Sequence, residues 1–134
     1  MKVERQLLLA GHPRGAAEGV DVRAPWDGRV IARVALAGPA EATYAADAAD
    51  RAFTETRRLP ARRRAAILGA LAEALRTSRE PLARLLSDEA GKPRTLARAE
   101  VEGAAAVMDR CAEEAHRIAA ELSPNAGRLA LTRA

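Results

Sequence analysis

The chain carries one thiol, Cys111, and two imidazoles, His12 and His116. A cysteine nucleophile needs a base within hydrogen-bond reach. His116 follows Cys111 by about 140° of helical rotation at 100° per residue, so the two side chains leave on different faces. Cys111 falls instead in an apolar series, where an unpaired cysteine is expected to act as a small buried hydrophobe. His116 is expected at the surface or rim, and His12 sits in a predicted turn with no visible partner. Two isolated histidines do not make a metal site. The carboxylate pairs Glu113–Glu114 and Asp88–Glu89 are neighbours in sequence. Adjacent helical positions point apart, so they are expected on solvated faces rather than in joint acid–base work. No catalytic, cofactor-binding or metal-ligating residue is assigned on these signals.

Phosphate and nucleic-acid chemistry fare no better. No two glycines stand two residues apart, which excludes a Gly-x-Gly-x-x-Gly turn. Gly91-Lys92 has the ending of a phosphate-binding loop, but that loop needs glycine where Leu86 stands. The arginines Arg57, Arg58, Arg62, Arg63 and Arg64 form the densest basic cluster. They lack interleaved aromatics for base stacking and straddle Pro60.

Any site must be positioned by elements built largely without aromatics. The 134 residues are 49% hydrophobic but only 2% aromatic, so the core must come from Ala, Leu, Val and Ile. The net charge of +4 comes almost entirely from arginine, with Lys2 and Lys92 the only lysines. Acidic residues are interleaved throughout, which favours a solvated surface over a nucleic-acid stripe. One cysteine excludes an intrachain disulfide and fits a reducing compartment. The apolar run Leu7–Leu9 is too short for a signal-peptide core or a membrane span. The expectation is a cytoplasmic protein with no membrane partner.

The longest element is Pro93–Leu122. Val101, Ala104, Met108, Cys111, Ala115, Ile118 and Leu122 recur in steps of three and four, which predicts one apolar helix face. Such a helix needs a partner surface, because propensity alone stabilises it little. Upstream, Gln6–Ala10 is a possible strand and Gly11–Gly15 a turn. Val20–Arg23 and Arg29–Val34 read as two strands joined at Asp27-Gly28. Helices are predicted from Pro39 to Arg58, then through Leu68, Leu71 and Leu75, then through Leu82, Leu85 and Leu86. A break is expected over Thr77–Pro81 and a left-handed cap at Gly91. Gly127–Arg133 alternates like a final strand. The fold class is therefore α+β and mostly helical. Residues 1–37 form a β-hairpin region, 38–122 a helical region and 123–134 a terminal strand, within a single partial domain.

These stretches resemble a known family. Ala24-Pro25-Trp26-Asp27-Gly28-Arg29-Val30-Ile31-Ala32-Arg33-Val34 is similar to the N-terminal hairpin of NAD(P)-dependent aldehyde dehydrogenases. Gly38-Pro39 and the helix ending in Ala52-Phe53 resemble their first helix. Arg58-Leu59-Pro60-Ala61 and Arg64-Ala65-Ala66-Ile67-Leu68 resemble the next. Glu89-Ala90-Gly91-Lys92-Pro93, then Ala97-Arg98-Ala99-Glu100-Val101, resemble the Glu-x-Gly-Lys-Pro loop and its following helix. The order holds from about Gln6 to Arg133. The wording is closest to the branch acting on lactaldehyde, phosphonoacetaldehyde or glyceraldehyde 3-phosphate. Thr56 departs from the tryptophan usual there.

The resemblance implies a piece of the α/β aldehyde dehydrogenase fold, and Gly127–Arg133 as the start of an oligomerisation arm. It implies that the catalytic cysteine, general-base glutamate, oxyanion-hole asparagine and NAD or NADP contacts belong to motifs with no matching position here. Cys111 does not match the nucleophile. The chain alone is then expected to be inactive and to need the remainder of the fold, or a separate chain supplying it, in an oligomeric parent. Two other readings stand beside it: a free-standing helical interaction module, and a basic nucleic-acid-binding domain.

Overall fold

The computed structural model describes residues 3–121. The predicted terminal strand at 123–134 and the end of the apolar series at Leu122 lie outside the described residues. The chain divides into two compact units, one made of Met1–Arg58 with Ala83–Ala97 and the other of Leu59–Leu82 with Arg98–Ala134.

The first unit holds the strands. Val3–Arg5 (β1), Gly19–Arg23 (β4) and Val30–Ala35 (β5) form a sheet of order β1-β5-β4, with β1 parallel and β4 antiparallel to β5. The β4–β5 pair is the hairpin that the β-branched runs predict. Its turn closes with Ala24 N donating to Arg29 O at 2.9 Å and Gly28 in the left-handed region at φ 70°. Gly19 pairs so closely that a Cβ there would stand 2.9 Å from Val34 O. Leu7–Leu9 (β2) and His12–Arg14 (β3) form a second, two-stranded sheet. This corrects the expected turn over Gly11–Gly15. The reversal falls on Ala10 and Gly11, both at positive φ, 51° and 82°. Two successive positive φ values close the tightest hairpin loop, which frees His12 to pair with Leu9.

Helix α1 (Pro39–Thr56) starts where Pro39 pre-sets the first turn and Glu41 Oε2 accepts from Gly38 N at 2.9 Å. It packs beside β2, and the Arg14 guanidinium sits 4.4 Å from the Tyr44 ring centroid. No α1 residue is fully buried, and Phe53 is 60% exposed. The buried side chains of this unit are Leu9, Ala24, Ala83 and Ala97.

The second unit contains α2 (Ala61–Thr77), the start of α3 (Arg79–Ala90) and most of α4 (Arg94–Glu121). The predicted break falls at Ser78. Pro81 is the third residue of α3, where its missing N–H costs no helical bond. Ala65, Ala72, Val101 and Ala105 are buried. The apolar face read for α4 therefore needs correction. Val101 is buried as expected and Met108 is half-buried, but Ala104, Cys111 and Ile118 are exposed. Cys111 is not a core residue. The covered side follows Ala97, Val101 and Ala105 in steps of four, about 100° around from Ala104.

Candidate functional site

In the first unit, the structure brings together two of the quoted motifs. The turn Pro25-Trp26-Asp27-Gly28 lies against Gly91 at the end of α3. A Cβ on Gly91 would stand 3.0 Å from Pro25 Cγ and 3.6 Å from the Trp26 indole. Gly91 adopts φ 67° and donates its N–H to Ser87 O at 3.0 Å, closing the helix as its type and place predict. One turn earlier, Arg29 Nη2 donates to Asp88 Oδ1 at 3.2 Å. Asp27 Oδ1 accepts from Arg29 N at 3.1 Å and fixes the same turn. Sequence reading did not pair Arg29 with Asp88, because nothing in the local pattern of either residue marks a partner so distant.

This arrangement does not suit a dinucleotide phosphate. The Gly91 N–H is already bonded, and the space above its α-carbon is taken by Pro25 and Trp26. A phosphate cradle requires free N–H groups and an open approach.

The remaining sequence candidates stay apart. Cys111 and His116 are both exposed on α4, separated by the helical rotation already noted. His12 is exposed on β3. Glu114 does not pair with Glu113. It accepts from Arg117 Nε at 2.8 Å, and this bond holds its carboxyl below the usual carboxylate range. Asp88 turns to Arg29 while Glu89 is exposed. Among the described residues, no group of three or more His, Cys, Asp or Glu could hold a metal. The arginine cluster is divided, with Arg57 and Arg58 in the first unit and Arg62, Arg63 and Arg64 in the second. Arg64 Nε donates to Leu59 O at 3.0 Å.

The second unit is tied by charge. Arg76 donates to Asp109 and, at 3.4 Å, to Glu102. The hydrogen bond to Asp109 raises the Arg76 pKa further above its already high value. Arg98 grips Glu80 with both donors, at 2.8 and 2.9 Å, and its pKa is raised by that bond. These pairs join helix to helix and face solvent, which suits a fastening more than an acid–base centre. Two of the clefts in the first unit are open to solvent. One of about 140 Å³ lies beside Gln6, Gly15 and Arg33, and one of about 330 Å³ beside Glu18, Leu36 and Gly38. Neither is lined by a thiol or an imidazole. No helix among the described residues is long and apolar enough to cross a membrane.

What this architecture belongs to is decided by its likenesses. The defining pattern of the "Aldehyde dehydrogenase family" matches residues 13–134. Glutarate-semialdehyde dehydrogenase of Pseudomonas putida is 38% identical over 122 residues, covering 90% of this chain and 25% of that protein. The NADP(+) succinate-semialdehyde dehydrogenase of Escherichia coli is 36% identical, again over 90% of this chain and 25% of that protein. Among solved structures, lactaldehyde dehydrogenase from Escherichia coli superposes with a TM-score of 0.83 at 31% identity, over 87% of this chain and 25% of that one. Aldehyde dehydrogenase 21 from Physcomitrella patens gives 0.84 at 29% identity, over 88% of this chain and 25% of that one. The chain spans about a quarter of the length of the curated relatives it matches. The helices, the hairpin and the Glu-x-Gly-Lys-Pro loop are thus a piece of a larger fold, and the chain belongs to the aldehyde dehydrogenase family.

Proposed function

We propose that this chain is the N-terminal portion of an NAD(P)-dependent aldehyde dehydrogenase, a single partial domain that scaffolds catalysis carried out elsewhere in the fold. In the whole enzyme, an aldehyde is oxidised to a carboxylic acid. Two electrons leave as hydride to the nicotinamide, and water supplies the second oxygen. The observation that carries the reading is the match itself, 38% identity across 90% of this chain and within a quarter of the relative. The exposed, solitary Cys111, with no imidazole on its face of α4, supports a scaffold in which thiol and cofactor chemistry reside outside these residues.

The substrate proposed for the whole enzyme is a short polar aldehyde. Lactaldehyde, phosphonoacetaldehyde and glyceraldehyde 3-phosphate, named by the resemblance, share that character with the glutarate and succinate semialdehydes of the relatives' names. The proposed partner is the remainder of the fold, in the same or a separate chain, within an oligomer in the cytoplasm.

The test is an absorbance assay for NADH or NADPH formation with succinate semialdehyde and lactaldehyde. The purified 134-residue chain is expected to give no turnover. Coexpressed with the remaining three-quarters of the Escherichia coli succinate-semialdehyde dehydrogenase, it is expected to yield an active complex. Turnover by the chain alone, or a complex that assembles and stays inactive, would overturn the reading.

A further inference from the structure

Asp27-Gly28 is the one Asp-Gly pair in the sequence, and no Asn-Gly pair accompanies it. Its chemistry follows from what glycine lacks. A side chain on the residue after an aspartate hinders the main-chain nitrogen from reaching the carboxyl carbon. Glycine has none, and a Cβ on Gly28 would meet nothing within 4 Å. Asp27 and Gly28 are both exposed, so water reaches the pair. These are the conditions for succinimide formation. Gly28 N attacks Cγ of the protonated Asp27 carboxyl, a five-membered ring closes, and the carboxyl hydroxyl leaves with the amide proton as water. Water then reopens the ring. Cleavage of the new N–Cγ bond restores aspartate, and cleavage of the original bond to the main-chain carbonyl leaves isoaspartate. No oxidant or further reactant is needed.

In the fold, both reacting groups are occupied. Gly28 N donates to Ala24 O at 3.0 Å. Asp27 Oδ1 accepts from Arg29 N at 3.1 Å, and Oδ2 lies 3.4 Å from Arg29 Nε. Ring closure needs the carboxyl turned back toward Gly28 N, and these pairings hold it toward Arg29. Arg29 is itself held, since its Nη2 donates to Asp88 Oδ1 on α3 at 3.2 Å. We propose that Asp27-Gly28 is a site of spontaneous isomerisation to isoaspartate, held in check by the Arg29–Asp88 junction. The inference stands apart from the functional reading above. Its consequence is local and structural. Isoaspartate adds one methylene to the main chain inside the loop that Ala24 N and Arg29 O close, so the modified turn no longer fits against Gly91.

The experiment incubates the full chain at neutral pH and counts isoaspartate by electron-transfer mass spectrometry of tryptic peptides spanning residue 27. The rate is expected to be lowest in native wild type and highest in guanidinium chloride. Asp88→Ala, which frees the far end of Arg29, should raise the native rate roughly threefold, the scale of one surface ion pair. Arg29→Gln, which removes the pairings to both Asp27 and Asp88, should raise it roughly tenfold, the scale of two. Circular dichroism confirms that each variant is folded, and the comparison of native with denatured wild type needs no variant. Gly28→Ala, measured in denaturant where folding plays no part, should slow the reaction severalfold. Absence of isoaspartate at residue 27 in the denatured chain would overturn the site. Equal rates in native and denatured wild type, or in wild type and both junction variants, would overturn the restraint.

Discussion

Arg29 and Asp88 are joined at 3.2 Å across 59 positions of sequence, one turn of helix before Gly91 meets Pro25 and Trp26. Two motifs that look independent along the chain are thus two sides of one junction. It sets the end of α3, and with it the point where α4 begins.

Gly91→Ala should be more damaging than Gly28→Ala, the other glycine of the same junction held at positive φ. The new Cβ meets Pro25 Cγ at 3.0 Å and the residue must hold φ 67°. A left-handed alanine costs on the order of 1–2 kcal/mol, and the steric contact adds to it. Gly28→Ala meets no atom within 4 Å at φ 70° and should pay the conformational cost alone. Urea unfolding followed by the fluorescence of Trp26 should rank Gly91→Ala below Gly28→Ala.

Ala10 carries the one positive φ of a non-glycine residue among those described, 51°. Ala10→Gly removes that strain in the β2–β3 turn and should raise stability by roughly 0.5–1 kcal/mol, net of the added chain entropy. The midpoint of chemical denaturation is the measurement, and a fall in midpoint would contradict the turn geometry.

Gly103 lies inside α4 with open space where a Cβ would go. Glycine in a helix interior is about 0.8–1.0 kcal/mol less favourable than alanine. Gly103→Ala should therefore stabilise the helix, seen as higher ellipticity at 222 nm and a later thermal transition.

Glu114 should make the second unit acid-sensitive. Its pKa is lowered in the fold by Arg117, so its contribution is present above the unfolded carboxylate pKa and is lost as pH falls through the folded one. Helical signal should drop more steeply in wild type than in Glu114→Gln on acidification below about pH 4.5. The arginines stay charged throughout and contribute no titration of their own in that window.

Cys111 should react with a thiol reagent in the native chain, without denaturant, at the rate of an accessible cysteine. A rate that rises sharply on unfolding would restore the core position that the apolar series suggested.

Local signals were enough for the β4–β5 hairpin and the four helices, though not for β1 or for His12–Arg14, which reads as a turn in sequence and pairs as a strand. The β-branched runs and Asp27-Gly28 specified the β4–β5 hairpin, Gly38-Pro39 and Pro60 marked helix starts, and Gly91 marked a helix end, because each signal acts within a few residues. Family membership was also legible, since it rests on the order of such signals along the chain. What only the tertiary structure decided was which side of each element is covered. An alanine-rich helix is apolar over so much of its circumference that spacing admits several faces. The positions of neighbouring elements chose the side of Ala97, Val101 and Ala105 and left Cys111 outside. The parallel pairing of β1 with β5 and the Arg29–Asp88 bond escaped sequence reading for the same reason. Each depends on where distant segments meet, a choice made by packing and chain entropy over the whole fold rather than by the residues on either side.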